Sequence, residues 1–195
     1  TLQWEVREVR ATFPGQSVED GSVNDYDERA TSVAVGYGLS EKVRLDGSAG
    51  YVERTYALVE RGNFDGAVWN VSLAWVPTAA ARVAFERFRD VRAHLEVESN
   101  HFVSTGESVS ASWAPLAELV LTVRVAREEQ RYIGAAALEA DARRDVPTTT
   151  SFSATYAPRE RLVLEVALRD ERRESSNARF DYGSAAASVG VEVRF

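Results

Sequence analysis

The strongest constraint in the sequence is an alternation of apolar and polar residues with period two, interrupted at regular intervals by an aromatic residue and a short turn. Tyr37, Trp75, Trp113 and Tyr156 stand 38, 38 and 43 residues apart. Three of them continue as aromatic-x-Pro, in Trp75-Val76-Pro77, Trp113-Ala114-Pro115 and Tyr156-Ala157-Pro158, whereas Tyr37-Gly38-Leu39-Ser40 lacks the proline. Apolar residues recur at every second position on both sides of each turn, as in Trp69-Val71-Leu73-Trp75 before one and Leu119-Leu121-Val123-Val125 after the next. Side chains of a strand point alternately to opposite faces, so this pattern predicts strands with one apolar and one polar face. A helical period would mix Arg, Glu and Leu on one side. With Leu2-Trp4-Val6 at the start and Ala187-Val189-Val191-Val193-Phe195 at the end, the pattern predicts ten antiparallel strands.

The intervening positions form a second pattern. They are small on strands entering a turn, as in Ser108, Ser110 and Ser112, and often charged on strands leaving it, as in Arg44 and Asp46. Adjacent strands then set long charged side chains beside short ones, which fits a narrow interior. Segments 14–30, 52–66, 89–103, 127–147 and 170–184 are polar and charge-rich, and are expected to be long loops alternating with the short turns.

Composition excludes several classes. The 195 residues carry 23 Lys+Arg and 30 Asp+Glu, a net charge of −7, which argues against nucleic acid as a partner. Cysteine is absent, excluding disulfide frameworks, thiolate metal sites and Cys nucleophiles. No run approaches the roughly 18 apolar residues that make a membrane helix. Methionine is absent as well, so Thr1 is expected to follow processing or to lie within a longer chain.

A soluble β-domain turns its apolar face inward, whereas a transmembrane barrel turns it toward lipid. Three features favour the barrel. Tyr37, Trp75, Trp113, Tyr156 and Phe195 sit at matched strand ends, where amphipathic rings form an interfacial girdle. Strands of about nine to eleven residues fit a tilted crossing of the hydrocarbon layer. The closing strand ends on an aromatic, the pattern by which the barrel-assembly machinery recognises outer-membrane barrels. The expected fold is therefore an all-β, transmembrane, antiparallel up-and-down barrel in the outer membrane of a Gram-negative bacterium, with short periplasmic turns and long extracellular loops.

The stretch from Trp113-Ala114-Pro115 to the end also resembles the EpsL-type exopolysaccharide-biosynthesis outer-membrane proteins, a β-barrel porin family. The resemblance rests on the aromatic-x-Pro turns, Arg143-Arg144-Asp145, Arg173-Glu174-Ser175-Ser176-Asn177, and Phe180-Asp181-Tyr182 followed by the closing strand. It implies a porin-like protein of polysaccharide export or assembly, with polysaccharide or envelope-complex partners. Members of that family are usually much longer, so residues 1–195 are read as one barrel domain, complete or the C-terminal part of a larger barrel.

Ten strands alone would close at a radius of about 10 Å, while sixteen or more would exceed roughly 15 Å and leave a channel. The lumen-facing candidates are Arg44, Asp46, Arg82, Glu86, Arg124, Glu165, Arg169, Glu192 and Arg194. They serve either as rings of charge that select solutes or as an ion-pair network filling a small barrel. No enzyme is expected: His94 and His101 fall in a predicted loop, the serines have no nucleophile elbow, and no cofactor or metal is implied. Two other readings remain, a scaffold barrel enclosing a partner, as in porin–cytochrome conduits, and a soluble β-domain binding ligands through its loops.

Overall fold

The computed structural model describes residues 1–12, 25–56, 63–96, 99–133, 143–159 and 161–193. Ten strands form one sheet in sequence order, each antiparallel to the next. They are β1 (Leu2–Ala11), β2 (Tyr26–Ser40), β3 (Val43–Tyr56), β4 (Phe64–Thr78), β5 (Ala81–Glu96), β6 (Ser99–Leu116), β7 (Leu119–Ile133), β8 (Arg144–Arg159), β9 (Leu162–Ser175) and β10 (Tyr182–Val193). A 3-10 turn over Ala178–Phe180 precedes β10. β1 and β10 each pair on one side only, leaving two edges without a strand partner among the described residues.

The register places the predicted apolar positions on one face. Val33, Ala49 and Trp69 lie opposite one another across β2, β3 and β4. Phe85, Val109 and Val125 do so across β5, β6 and β7, as do Ala154, Val166 and Val189 across β8, β9 and β10. This face is uncovered: Val35, Leu73, Val109, Val123 and Val189 are all exposed. The soluble reading requires these residues to be enclosed, and among the described residues they are not. The few buried hydrophobics gather at the other end of the strands. There β4 and β5 part beyond the Trp69–Arg89 pair, and Val52, Phe64, Val91 and Val103 form one cluster.

The strands are longer than expected. Apart from β1 and β10 they run 14 to 18 residues, so much of what read as loop is strand. β5 and β6 leave only residues 97–98 between them, and His94 and His101 stand on these strands rather than in a loop. Beyond the apolar zone both faces are polar, so alternation disappears while backbone pairing continues. Hydrogen bonding between main chains needs no contrast between faces.

The aromatic stations follow the hydrogen-bonding rows in regular steps. The row of Tyr37 passes through Leu45 to Leu73, and Trp75 lies two residues beyond it. The row of Trp75 passes through Val83 to Ala111, two short of Trp113. That of Trp113 passes through Leu121 to Ala154, two short of Tyr156. A level belt of aromatics thus requires the sheet to stagger by one residue per strand. With a rise of about 3.3 Å per residue and a strand spacing of about 4.8 Å, that stagger is a tilt of about 35°. The eight residue steps from Val43 to Tyr51 then span about 26 Å along the strand and about 22 Å along the axis, close to the height of a lipid-facing band.

Close packing between strands gives a first test. A Cβ on Gly50 would lie 2.6 Å from the carbonyl oxygen of Thr31, whereas one on Gly38 would meet nothing within 4 Å. Gly50→Ala is expected to destabilise the fold by about 1–3 kcal/mol in urea unfolding. Gly38→Ala should stay within about 0.5 kcal/mol of the parent.

Candidate functional site on the polar face

The face opposite the apolar band carries the predicted lumen residues that fall among the described residues, most of them flanked by small side chains. Arg44 lies opposite Gly38 and Ala74, and Asp46 opposite Gly36 and Ser72. Glu86 lies opposite Ser72 and Ser108, and Arg124 opposite Ser110 and Ser151. Without neighbours across the strand, the long side chains can lie down over the sheet. Arg44 reaches Asp46 at 2.7 Å, Asn70 donates to Glu86 at 2.9 Å, and Arg124 stands 3.6 Å from Glu86. Arg44, Asp46, Arg82, Glu86 and Arg124 line a hollow of about 190 Å³ together with Ser108 and Ser110.

The remaining candidates are dispersed along the same face. Arg169 pairs with Glu171 at 2.6 Å, and Glu171 also accepts from the hydroxyl of Tyr182. Glu165 lies opposite Thr155 and Gly190, and Glu192 opposite Val163. Arg194 and Phe195 lie outside the described residues, as do the side chains of His94 and His101. Tyr37, Trp75, Trp113 and Tyr156, the expected girdle residues, lie on the apolar face, 61%, 48%, 56% and 42% exposed.

Further from the short turns, the polar face carries three networks that the sequence reading missed. Glu28 is held between Arg7 at 2.9 Å and Arg54, whose guanidinium also lies over the Tyr26 ring. Glu128 accepts from Ser104 at 2.6 Å and Gln130 at 2.8 Å, with Arg92 3.6 Å away. Asp145, fully buried, pairs with Arg143 at 2.6 Å, accepts from Ser175, and has Arg173 at 3.7 Å. The Arg143 guanidinium sits between the rings of Tyr132 and Phe180, 4.2 and 3.4 Å from their centroids. The available signal was parity: Arg54 and Tyr56 continue the even-numbered polar face of β3 past Asp46, and Glu128 and Tyr132 continue that of β7 past Arg124.

Burial and charge set the ionisation of the third network, which lies above the apolar band. Burial alone would raise the Asp145 carboxyl, but hydrogen bonds from Arg143 and Ser175 and the charges of Arg143 and Arg173 hold it below its ordinary range. Burial, reinforced by the Asp145 charge, pushes Tyr132 up to about 12. Among the described residues no three His, Cys, Asp or Glu side chains gather as a metal-binding set. The chemistry offered is a dense field of hydrogen-bond donors and acceptors with both signs of charge.

An uncovered apolar band, a level aromatic belt, tilted antiparallel strands and a charged opposite face together define the transmembrane β-barrel class. The chain belongs to the family described as "Putative beta-barrel porin 2", whose model matches residues 3–195. No curated protein sequence matches the chain. Among solved structures the NanC porin superposes with a TM-score of 0.53 at 9% identity, covering 100% of this chain and 94% of that one. The copper transporter OprC superposes with a TM-score of 0.55 at 14% identity, over 97% of this chain and 36% of that one. At these identities the likeness is one of fold.

The linked ionisations make a two-sided prediction. The depressed Asp145 carboxyl contributes stability above the unfolded value of about 4, lost as pH falls through its folded value. The raised Tyr132 contributes below the unfolded value of about 10, lost as pH climbs toward about 12. Asp145→Asn should cost about 3 kcal/mol at neutral pH and flatten the acid limb of a stability–pH curve. Alkaline absorbance titration should lose its last tyrosinate step in Tyr132→Phe.

Proposed function

We propose that the chain forms wall of an outer-membrane porin in a Gram-negative envelope, its apolar band in lipid and its polar face lining a passage for saccharide-like solutes in exopolysaccharide export or assembly. The observation that carries the membrane placement is the stagger of the aromatic stations. It levels the girdle and gives a band of about 22 Å, near the roughly 25 Å of outer-membrane barrels. A soluble sheet has no reason to keep four aromatics at one height.

The solute class rests on the hollow around Arg44, Asp46, Arg82, Glu86 and Arg124. Sugar hydroxyls both donate and accept, and this surface supplies guanidinium donors beside carboxylate and serine acceptors. The link to exopolysaccharide rests on the motif resemblance, including Arg143-Arg144-Asp145, whose acidic member is the centre of a buried network. The free edges of β1 and β10 bear on pore size. Hydrocarbon offers no partner to an open edge, so both must be paired in the bilayer. Pairing with each other gives a bore of about 10 Å radius, largely filled by side chains, and pairing with further strands widens it.

The test is reconstitution of the protein as it occurs, in phosphatidylcholine vesicles and planar bilayers. Flotation with the vesicles, ion conductance and sugar-driven vesicle swelling are expected. Protein that stays in the aqueous fraction without detergent overturns the membrane placement, and insertion without conductance or sugar entry overturns the passage. The two faces give a further contrast at adjacent positions of β10. Val189→Arg, on the apolar face near mid-band, should destabilise the inserted fold by about 2–4 kcal/mol. Ser188→Arg, on the polar face, should change it by less than about 1 kcal/mol, both read from urea unfolding in vesicles.

A further inference from the structure

The apolar face is interrupted at one place. Arg87 on β5, Glu107 on β6 and Arg127 on β7 lie directly opposite one another in one row, on the same face as Phe85, Val109 and Val125. All three are exposed. Following the stagger, Arg87 stands about 13 Å above the aromatic stations, Glu107 about 16 Å and Arg127 about 19 Å, so on β5 and β6 the charges begin lower than on the other strands among the described residues. On β3 the same face stays uncharged up to Tyr51 and on β4 up to Ala67, before Glu53 and Asp65.

The arginines of this interruption differ from the others on that face. Arg10 pairs with Asp27 at 2.7 Å, Arg131 and Arg144 share Glu129 at 2.7 and 2.6 Å, and Arg172 stands 3.3 Å from Asp170. Arg87, Arg89 and Arg127 have no carboxylate within ion-pair distance among the described residues, and Arg89 donates only to the carbonyl of Ala67. Of the carboxylates bordering them, Glu129 is engaged by two other arginines and Glu128 by Ser104, Gln130 and Arg92 on the polar face, which leaves Glu107 to face Arg87 and Arg127. Two hollows meet at Thr105 and Glu129, one of about 220 Å³ bordered by Arg87 and Arg127, the other of about 320 Å³ bordered by Arg89. The result is a recess with an excess of positive charge, opening from the lipid-facing side below the upper rim of the band.

We propose that this recess binds the phosphate of an outer-leaflet lipid through Arg87, Arg89 and Arg127. The inference rests on the membrane placement proposed above. A guanidinium surrounded by acyl chains is costly unless a counter-charge meets it, and the long arginine stem lets the head rise toward the headgroup level. A phosphate drawn down into the recess would receive paired N–H donors from more than one guanidinium, the geometry arginine is suited to. Glu107 would orient the flanking guanidinium groups without cancelling both.

The experiment compares spin-labelled phosphatidic acid with spin-labelled phosphatidylcholine at the surface of the protein in phosphatidylcholine vesicles, reading the motionally restricted fraction of each. The native protein is expected to prefer the phosphatidic acid roughly fivefold, the effect of about one net arginine at a charged lipid surface. R87Q/R89Q/R127Q should bring the preference to parity. R10Q/R29Q/R172Q, which removes arginines standing beside carboxylates, Arg29 being 3.8 Å from Glu8, should leave it unchanged. Absence of a preference, equal loss in both variants, or abolition by inorganic phosphate would overturn the assignment. Flotation separates the two failures: protein that does not insert defeats the membrane placement, while inserted protein without a preference defeats only the lipid site. Should the triple variant fail to insert, R127Q alone must lower the preference several-fold, toward parity, or the site falls.

Discussion

The stagger of one residue per strand is the constraint on which the rest of the structure depends. Backbone pairing alone would tolerate many registers, but a shift of one residue turns every side chain to the other face. Here the register must keep apolar residues together on one face and also keep Tyr37, Trp75, Trp113 and Tyr156 level across seven strands. Both conditions are met by the same pairing. The tilt, the height of the apolar band and the alignment of small residues beside charged ones on the polar face all follow from it.

The polar face depends on that register in turn. A serine, glycine or alanine opposite Arg44, Asp46, Glu86, Arg124 and Arg169 leaves room for each to bend toward a partner two residues away on its own strand or across to a neighbouring one. Arg44 with Asp46 and Arg169 with Glu171 show the first arrangement, and Glu86 with Asn70 and Arg124 the second. Charge is largely neutralised pair by pair, so the surface is strongly polar without presenting one uniform sign. The buried Asp145 network is the extreme case, where three arginine and serine partners keep one carboxylate ionised away from water.

Much of this was legible in the sequence, and the part that was not has a physical reason. Alternation at Trp69-Val71-Leu73-Trp75 and at Ser108-Ser110-Ser112 is visible because the two faces meet different surroundings. Past Tyr51 or Val125 both faces are polar, and the contrast that marks a strand in sequence vanishes although the pairing goes on. The outer ends of β2 through β10 therefore read as loop in the sequence, and the networks of Glu28, Glu128 and Asp145 lie within them. Arg87 and Glu107 were hidden differently. They keep strand parity, but charge on that face contradicts the pattern, and only the register shows that they stand in one row with Arg127.

The constant stagger has a consequence for size. Because each hairpin advances the aromatic belt by two residues, adding or removing a hairpin leaves the tilt of every strand and the height of the apolar band unchanged. Only the circumference changes. Bore and bilayer fit are thus uncoupled: the number of hairpins sets the first, and the internal geometry of one hairpin sets the second. A repeat of this kind can be lengthened by duplication without any of its existing strands having to be refitted to the membrane.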